Sequence, residues 1–145
     1  MSDVARSRTI AADQQEIWDV LADFGSISSW ADNVDHSCIL YSGVDGDHVG
    51  TARRVQLGRD AFVERIIEFD PPNTLAYDID GLPGRLRRVT NRWTVRAGAV
   101  TLTSAVEIGS RPWQRLAERV VCRLLARQSD ALLAGLANRL ENARV

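Results

Sequence analysis

The sequence predicts an α+β fold: a curved, seven-stranded antiparallel sheet wrapped around one long C-terminal helix, with two short helices after the first strand. Between residues 34 and 108, short segments of alternating apolar and polar residues are separated by turn residues, which is typical of an antiparallel meander. Residues 112 to about 142 carry apolar side chains three and four positions apart and predict a helix on the order of 45 Å long. Because this helix is the only large apolar partner for the sheet, the two should enclose a space between them.

The N-terminal elements follow from local signals. An alternating segment at Val4–Ile10 predicts the first strand. Asp13 is placed to cap a helix, since a carboxylate accepts hydrogen bonds from the free amides of the first turn. The apolar residues of that helix fall close to one face, at Ile17, Trp18, Val20 and Leu21. A second, short helical turn is expected at Ser26–Ala31, and it carries Trp30.

The remaining elements are bounded by glycine and proline. The six meander strands are predicted at Val34–Tyr41, Gly50–Leu57, Phe62–Phe69, Thr74–Ile79, Leu86–Val95 and Val100–Ile108. Ser110 is a natural cap for the long helix, and Pro112 fits its first turn, where an amide proton is not needed. Gly135 within the helix costs about 1 kcal/mol relative to alanine and would permit a close approach by another segment.

Length and charge narrow the class of protein. A chain of 145 residues predicts a single domain over residues 1–145. Its 18 basic and 19 acidic residues leave almost no net charge, which argues against a general nucleic-acid binder. All the basic residues are arginine, so lysine-based catalysis is excluded. The sequence has no apolar run long enough to span a membrane and no signal peptide, which predicts a cytoplasmic protein without integral membrane association; the oligomeric state stays open.

The sequence contains no motif of a known catalytic or cofactor chemistry. We find no Ser-His-Asp spacing, metal-ligand cluster, phosphate loop or dinucleotide fingerprint, and we therefore expect no metal and no cofactor. Cys38 and Cys122 lack metal-ligand spacing, and a disulfide between them is neither required nor ruled out.

The ordered set of segments resembles the START-like, or SRPBCC, superfamily, and most closely its polyketide cyclase/dehydrase and lipid-transport branch. The resemblance runs from about Val4 to Leu140. It is carried by IAA with EIWDVLADF at residues 10–24, Ser29-Trp30, VGTAR at residues 49–53, Glu64-Arg65-Ile66, Asp70-Pro71-Pro72, Tyr77 and the Asn91–Trp93 strand.

The resemblance implies a helix-grip fold with a deep apolar cavity between the sheet and the long helix. Relatives include aromatase/cyclases, plant hormone receptors, pollen allergens and assembly factors, and fold alone does not choose among these roles. Our first hypothesis is that the chain binds a hydrophobic small molecule, such as a lipid or polyketide, in this cavity. The second is a polyketide cyclase, aromatase or dehydratase, and the third is a protein-interaction module with a vestigial cavity.

Strand alternation and the resemblance together nominate the cavity residues. Residues of one parity on each strand should face the cavity, which places Arg53 and Glu64 on neighbouring strands and pointing inward. Glu68 has the same parity as Glu64. The proposed ligand-binding residues are Trp30, Arg53, Val55, Phe62, Glu64, Ile66, Tyr77, Asn91, Trp93 and Ser104.

Four of the polar residues are candidates for catalysis: Arg53, Glu64, Tyr77 and His36. Arg53 and Glu64 could polarise a ligand carbonyl, or they could form a structural ion pair between two strands. Tyr77 could donate a proton if its hydroxyl reaches the ligand. The parity of His36 is ambiguous, and we favour an outward orientation, which would make it a surface residue.

The other arginines fall into two groups. Arg115, Arg119, Arg123 and Arg127 form a row on the long helix that is typical of a solvated face, with docking to an acidic partner or a phospholipid surface as the alternative. A second group flanks the Gly81–Gly84 loop, which resembles the cavity-entrance loop of the hormone receptors, and consists of Arg85, Arg87 and Arg88. These could attract an anionic head group, or they could simply keep a loop soluble.

Overall fold

The computed structural model describes residues 2–80, 88–107 and 112–142, with no side-chain description at residues 2 and 112–115. The seven strands are β1 (Ser2–Thr9), β2 (His36–Tyr41), β3 (Ala52–Leu57), β4 (Asp60–Asp70), β5 (Thr74–Asp80), β6 (Arg88–Arg96) and β7 (Ala99–Glu107). The described residues also form two α-helices, α1 (Gln14–Ala22) and α2 (Pro112–Asn142), and a 3₁₀ helix follows α1 at Phe24–Ser29. The predicted α+β fold class and the order of its elements are confirmed. The predicted Gly81–Gly84 loop lies outside the described residues.

The strands form one antiparallel sheet in the order β1-β7-β6-β5-β4-β3-β2. Strands β2 to β7 pair with their neighbours in sequence, as a meander requires, whereas β1 pairs with the last strand, β7. The sheet therefore has two edges, β1 and β2. Alternating burial along β6 and β7 shows that one face of the sheet is buried.

Helix α2 crosses the sheet and packs against β1 and β7. In its C-terminal half, the buried residues recur at helical spacing: Leu132, Leu133, Leu136, Ala137 and Leu140. Full burial of each leucine stabilises the fold by roughly 1.5–3 kcal/mol. Gly135 lies on this face, and a Cβ atom there would come within 2.3 Å of the Trp30 carbonyl oxygen. The close approach expected at Gly135 is therefore present.

A β-bulge in β4 overturns one sequence prediction. Ile66 pairs with Tyr77 of β5, but the next paired residue of β4 is Glu68, opposite Ala76. The extra residue, Ile67, reverses the alternation from that point on. Glu68 therefore does not share the face of Glu64, as predicted, but forms an ion pair with Arg92. Phe69 takes the inward position and its ring packs edge-on against Trp18 at 5.2 Å.

Both cysteines are free thiols, with Cys38 exposed on β2 and Cys122 half-buried on α2. Burial raises the pKa of the Cys122 thiol, which makes it a weaker nucleophile at neutral pH. Within the described residues, neither helix is both long and apolar enough to cross a membrane.

Candidate functional site

A cavity of about 290 Å³ lies between the sheet and α2. Its sheet wall comes from strands β3 to β6, and its other wall from apolar side chains of α2, including Val121, Leu125 and Leu132. Leu124 also borders the cavity although 58% of its surface is exposed, so the cavity opens to solvent on the Leu124 side.

The predicted ligand-binding residues divide into two groups. Those that line the cavity are Val55, Phe62, Glu64, Tyr77 and Asn91. Those that are buried around it without lining it are Trp30, Arg53, Ile66, Trp93 and Ser104. Trp30 and Trp93 pack edge to face with their ring centroids 5.9 Å apart, so these two tryptophans belong to the core.

Arg53 and Glu64 form a buried ion pair. The two residues are directly opposite each other on β3 and β4. Both Nε and Nη2 of Arg53 lie 2.7 Å from Oε1 of Glu64, and the remaining nitrogen, Nη1, donates to the Phe24 carbonyl oxygen at 2.8 Å. The guanidinium carbon also lies 3.8 Å from the centre of the Phe24 ring and 4.7 Å from that of Tyr77. The positive charge of Arg53 is thus fully engaged by protein groups.

Glu64 is the one charged residue among the described residues that line the cavity. Arg53 donates a hydrogen bond from Nε to Oε1 of Glu64 and brings Nη2 into ion-pair contact with the same oxygen, and no described residue donates to Oε2. The side chain is 10% exposed, and Glu64 borders the cavity. Its second carboxylate oxygen is therefore a hydrogen-bond acceptor available to a molecule in the cavity.

A network of hydrogen-bonded polar side chains connects α2 to the cavity wall. The Ser104 hydroxyl donates to Oδ1 of Asn91 at 2.6 Å, and Oγ of Ser129 on α2 lies 3.4 Å from Oγ of Ser104. The amide nitrogen of Asn91 donates to the Tyr77 hydroxyl at 3.5 Å, and Nε1 of Trp93 donates to the same oxygen at 3.3 Å. This hydrogen-bond network ends at Tyr77, which borders the cavity.

Tyr77 remains a neutral phenol over a wide pH range. Burial raises the pKa of Tyr77 above its ordinary value of 10.0, because the phenolate would lose hydration. The negative charge of Glu64 raises the pKa further, while the positive charge of Arg53 and the hydrogen bonds from Trp93 and Asn91 lower it. Burial has the largest effect, so the hydroxyl keeps its proton.

Two buried polar atoms have no hydrogen-bond partner among the described residues. They are Nε1 of Trp30 and Oδ1 of Asn33, and Asn33 borders the cavity. Buried polar groups normally have partners, because an unpaired one costs about 1–3 kcal/mol. An oxygen of this kind on a cavity wall is a place where a ligand or water would supply the missing hydrogen bond.

The two histidines lie outside the cavity. His36 is exposed on the edge strand β2, and this removes it from the catalytic candidates. Cys38, which has the same parity, is also exposed. His48 is exposed as expected, although its ring stacks on Phe69 with centroids 3.9 Å apart.

The described arginines of the predicted row on α2 are exposed, in agreement with a solvated face: Arg119, Arg123 and Arg127. The side chain of Arg115, and all of Arg85 and Arg87, lie outside the described part of the chain. Arg88 is described, and it donates to the carboxylate of Asp78 at 3.2 Å. Beside the exposed arginines, α2 also exposes Leu116, Val120 and Leu124.

Several residues of the site could not be predicted, or were not predicted, from the sequence. Phe24 was not predicted to contact Arg53, since a backbone carbonyl and a ring that meet one guanidinium leave no pattern in the sequence. Asn33 lies in the connection before β2, outside any periodic segment. Glu118 of α2 is buried, although the arginine row around it suggested a solvated helix face. Ser129 could have been found from the helical spacing that places it on the buried face with Leu132 and Leu133.

Comparison with solved structures identifies the fold. The chain superposes on the Zhui aromatase/cyclase from Streptomyces sp. R1128 with a TM-score of 0.77 and 18% sequence identity, over 99% of this chain and 96% of that one. A START superfamily protein from Mycobacterium smegmatis gives a TM-score of 0.72 at 15% identity, over 97% and 98% of the two chains. The di-domain ARO/CYC StfQ from the steffimycin biosynthetic pathway gives 0.76 at 13% identity, over 98% of this chain and 51% of that one. At these identities the likeness establishes the fold, and the predicted START-like helix-grip fold is confirmed.

Comparison with curated proteins finds no match. A family model described as polyketide cyclase / dehydrase and lipid transport, however, matches residues 1–141, which is nearly the whole chain. The fold, the apolar cavity and this match agree with one another. The chain therefore belongs to the polyketide cyclase / dehydrase and lipid transport family.

Proposed function

We propose that the protein binds a hydrophobic small molecule in the cavity between the sheet and α2, with Tyr77 and Glu64 contacting the polar part of the ligand. The observation that carries this proposal is an apolar cavity of about 290 Å³ whose wall includes Tyr77 and Glu64, both with unused hydrogen-bonding capacity. The volume is close to the lower end of the range of small-molecule pockets, about 300–1,000 Å³.

The open cavity favours binding over a vestigial site. A vestigial cavity should be filled by its own large side chains, but Trp30 and Trp93 pack against each other in the core. Phe62 borders the cavity without filling it. The unpartnered oxygen of Asn33 also favours a bound molecule in the cavity, because buried polar groups normally have a hydrogen-bond partner.

Native mass spectrometry of the recombinant protein, followed by a thermal-shift screen over sterols, fatty acids and aromatic polyketides, tests the proposal. We expect a copurified ligand or a stabilising one. A ligand at a hundred times its dissociation constant stabilises the folded protein by about 2.7 kcal/mol.

A matched pair of α2 variants provides the control. Val121→Trp places a large ring in the cavity, whereas Val120→Trp places the same ring on the exposed side of the same helix. The stabilisation by ligand should be lost in V121W and kept in V120W. If no compound stabilises the wild type, or if V121W responds like the wild type, the binding proposal is wrong and the interaction-module hypothesis gains support.

A second candidate function is cyclisation of a polyketide-like substrate. It is favoured by the presence of a carboxylate and a protonated phenol on the same cavity wall, and two of the similar structures are aromatase/cyclases by name. In this step the Glu64 carboxylate would take a proton from a carbon between two carbonyls. The resulting enolate carbon would form a carbon–carbon bond to the carbon of another carbonyl group of the substrate. The oxygen of that carbonyl would receive the proton of Tyr77.

The two functions differ in what happens to the bound molecule. For binding alone, a poly-β-ketone probe incubated with the protein is recovered with its retention time and mass unchanged. For cyclisation, chromatography and mass spectrometry would show a new species of the same mass, or of that mass less water, that Glu64→Gln abolishes and Glu68→Gln does not. Glu68 is the matched control because it pairs with Arg92 away from the cavity.

A further inference from the structure

Tyr77 and Glu64, the two groups proposed to contact the polar part of the ligand, have fixed and opposite hydrogen-bonding roles. A tyrosine hydroxyl has one proton to donate and two lone pairs that accept, and an ionised carboxylate only accepts. Each group already makes hydrogen bonds within the protein. These bonds determine whether it can still act as a donor or as an acceptor toward a ligand.

Tyr77 is left with its donor. Ser104 gives its only hydroxyl proton to Oδ1 of Asn91, which fixes the orientation of the Asn91 amide. The nitrogen of that amide then donates to the Tyr77 oxygen, and the indole of Trp93 donates to it as well. Both lone pairs of Tyr77 are therefore used and its proton is not. Because Ser104 has already given its proton to Asn91, the contact between Ser104 and Ser129 needs Ser129 as its donor.

Glu64 is left with an acceptor. Its Oε1 makes both contacts with Arg53, one hydrogen bond from Nε and one ion-pair contact with Nη2, and its Oε2 has no donor among the described residues. Arg53 itself does not border the cavity, and its third nitrogen is bonded to the Phe24 carbonyl. Among the described residues that line the cavity there is no arginine and no histidine. An anionic ligand would thus meet a carboxylate with no free cation beside it among the described lining residues.

We infer that the cavity selects an uncharged ligand that presents a hydrogen-bond acceptor to Tyr77 and a hydroxyl donor to Glu64, as a hydroxy-ketone or an enol does, and that it rejects carboxylates. The inference rests on the proposed binding function and narrows it to a class of ligand. It also assigns Asn91 and Ser104 as positioning residues, because they leave Tyr77 only its donor role.

Four naphthalene probes of one size test the inference by calorimetry or fluorescence titration of the full chain. Naphthalene reports the apolar cavity alone, 2-acetonaphthone adds an acceptor, 2-naphthol adds a donor, and 2-naphthoate adds a negative charge. We expect 2-acetonaphthone and 2-naphthol to bind more tightly than naphthalene, and 2-naphthoate to bind at least about tenfold more weakly than 2-naphthol.

Two variants should separate the two contacts. Tyr77→Phe should weaken 2-acetonaphthone about fivefold and leave 2-naphthol unchanged, with Tyr41→Phe on the exposed edge strand as the control. Glu64→Gln should weaken the binding of 2-naphthol about tenfold and reduce the difference in affinity between 2-naphthol and 2-naphthoate. If Glu64→Gln alone does not fold, the double variant Arg53→Met with Glu64→Gln removes both charges and tests the same difference.

Ser104→Ala tests the positioning role. Without the Ser104 proton the Asn91 amide can rotate, so the preference for 2-acetonaphthone over naphthalene should fall while the affinity for naphthalene itself stays the same. Ser7→Ala is the control, because Ser7 bonds Thr101 on the exposed face of the sheet. A merely structural role for Ser104 would change all four affinities together, and that result would overturn the assignment.

The outcomes separate the inference from the proposed function. If all four probes bind with similar affinity, or if 2-naphthoate binds most tightly, the selectivity is wrong although the cavity binds ligands. If not even naphthalene binds, the proposed function fails and the inference fails with it. The expected order of affinities, together with weaker binding of 2-acetonaphthone in Y77F and of 2-naphthol in E64Q, supports both.

Discussion

Arg53 and Glu64 form a buried pair of opposite charges. Removing either residue leaves the charge of the other unbalanced. The pair has side-chain exposures of 3% and 10%, whereas the pair of Arg92 and Glu68, between β6 and β4 of the same sheet, has exposures of 43% for both. Two charges gain little from pairing in water, but a buried charge without its partner is strongly destabilising. The two arginines therefore allow a direct comparison of buried and exposed ion pairs in one protein.

Replacing Arg53 should cost far more than replacing Arg92. Arg53→Met leaves the Glu64 carboxylate buried without its partner and should lower the free energy of unfolding by about 3–5 kcal/mol. Arg92→Met should lower it by only about 0–1 kcal/mol, because water replaces the lost ion pair. Urea denaturation of both variants measures the difference. Equal losses would mean that the Arg53–Glu64 pair is solvated.

Tyr77 should give the folded protein a distinctive dependence on alkaline pH. Because the pKa of Tyr77 is raised in the folded protein, the unfolded chain loses the phenolic proton first. Stability from this group is thus fully present below about pH 10 and falls as the pH rises above it. Urea denaturation between about pH 8 and 11 should show the decline in the wild type and a smaller one in Tyr77→Phe.

Tyr41→Phe is the matched control for this experiment, since Tyr41 is exposed on β2 and bonds Arg65. It should keep the decline of the wild type. Cys122, whose pKa burial also raises, contributes the same slope to all three proteins. A Tyr77→Phe protein with the full wild-type decline would show that Tyr77 titrates equally in the folded and unfolded states.

At the scale of the element, β4 and α2 each contain one residue that departs from the regular pattern and thereby determines the packing. In β4 the residue is Ile67, which forms the bulge, so that Glu64 faces the cavity while Glu68 faces away. In α2 the residue is Gly135, which brings the helix backbone against the carbonyl of Trp30. Both departures are local, and both change which side chains meet.

Gly135→Ala should destabilise the protein although alanine favours helices. Helix propensity alone would stabilise the variant by about 1 kcal/mol, but the added Cβ would lie 2.3 Å from the Trp30 oxygen, so helix and loop must separate. We expect a net loss of about 1–3 kcal/mol in denaturation experiments. The exposed Ala131→Gly, the reverse exchange one turn earlier, should lose about 1 kcal/mol from propensity alone. A gain of stability in G135A would contradict the close contact.

At the scale of the whole molecule, the sequence predicts what is periodic and misses what depends on single contacts. Alternation in the strands and the helical spacing of α2 are visible in the sequence, and so are the elements, their order and the neighbouring positions of Arg53 and Glu64. The bulge at Ile67 is not visible in the sequence, because a strand with one inserted residue shows the same pattern of residue types as a regular strand.

The candidate site was predictable in composition but not in its hydrogen bonding. Tyr77 and Asn91 followed from strand parity. The bonds that leave Tyr77 a donor and Glu64 an acceptor depend on the orientation of single amide and carboxylate groups, which no pattern of residue types encodes. The same holds for the link from Ser104 to α2.

The burial of Tyr77 also has a spectroscopic consequence. The chain has two tyrosines and no lysine. Because phenolate absorbs at longer wavelengths than phenol, the ultraviolet spectrum of the protein at alkaline pH reports the ionisation of only these two tyrosines. One of them, Tyr41, lies on the surface, and the other borders the cavity. A molecule that takes the hydrogen bond of Tyr77 holds its proton in place, and the absorbance of the protein itself then records, without a label, whether the cavity is occupied.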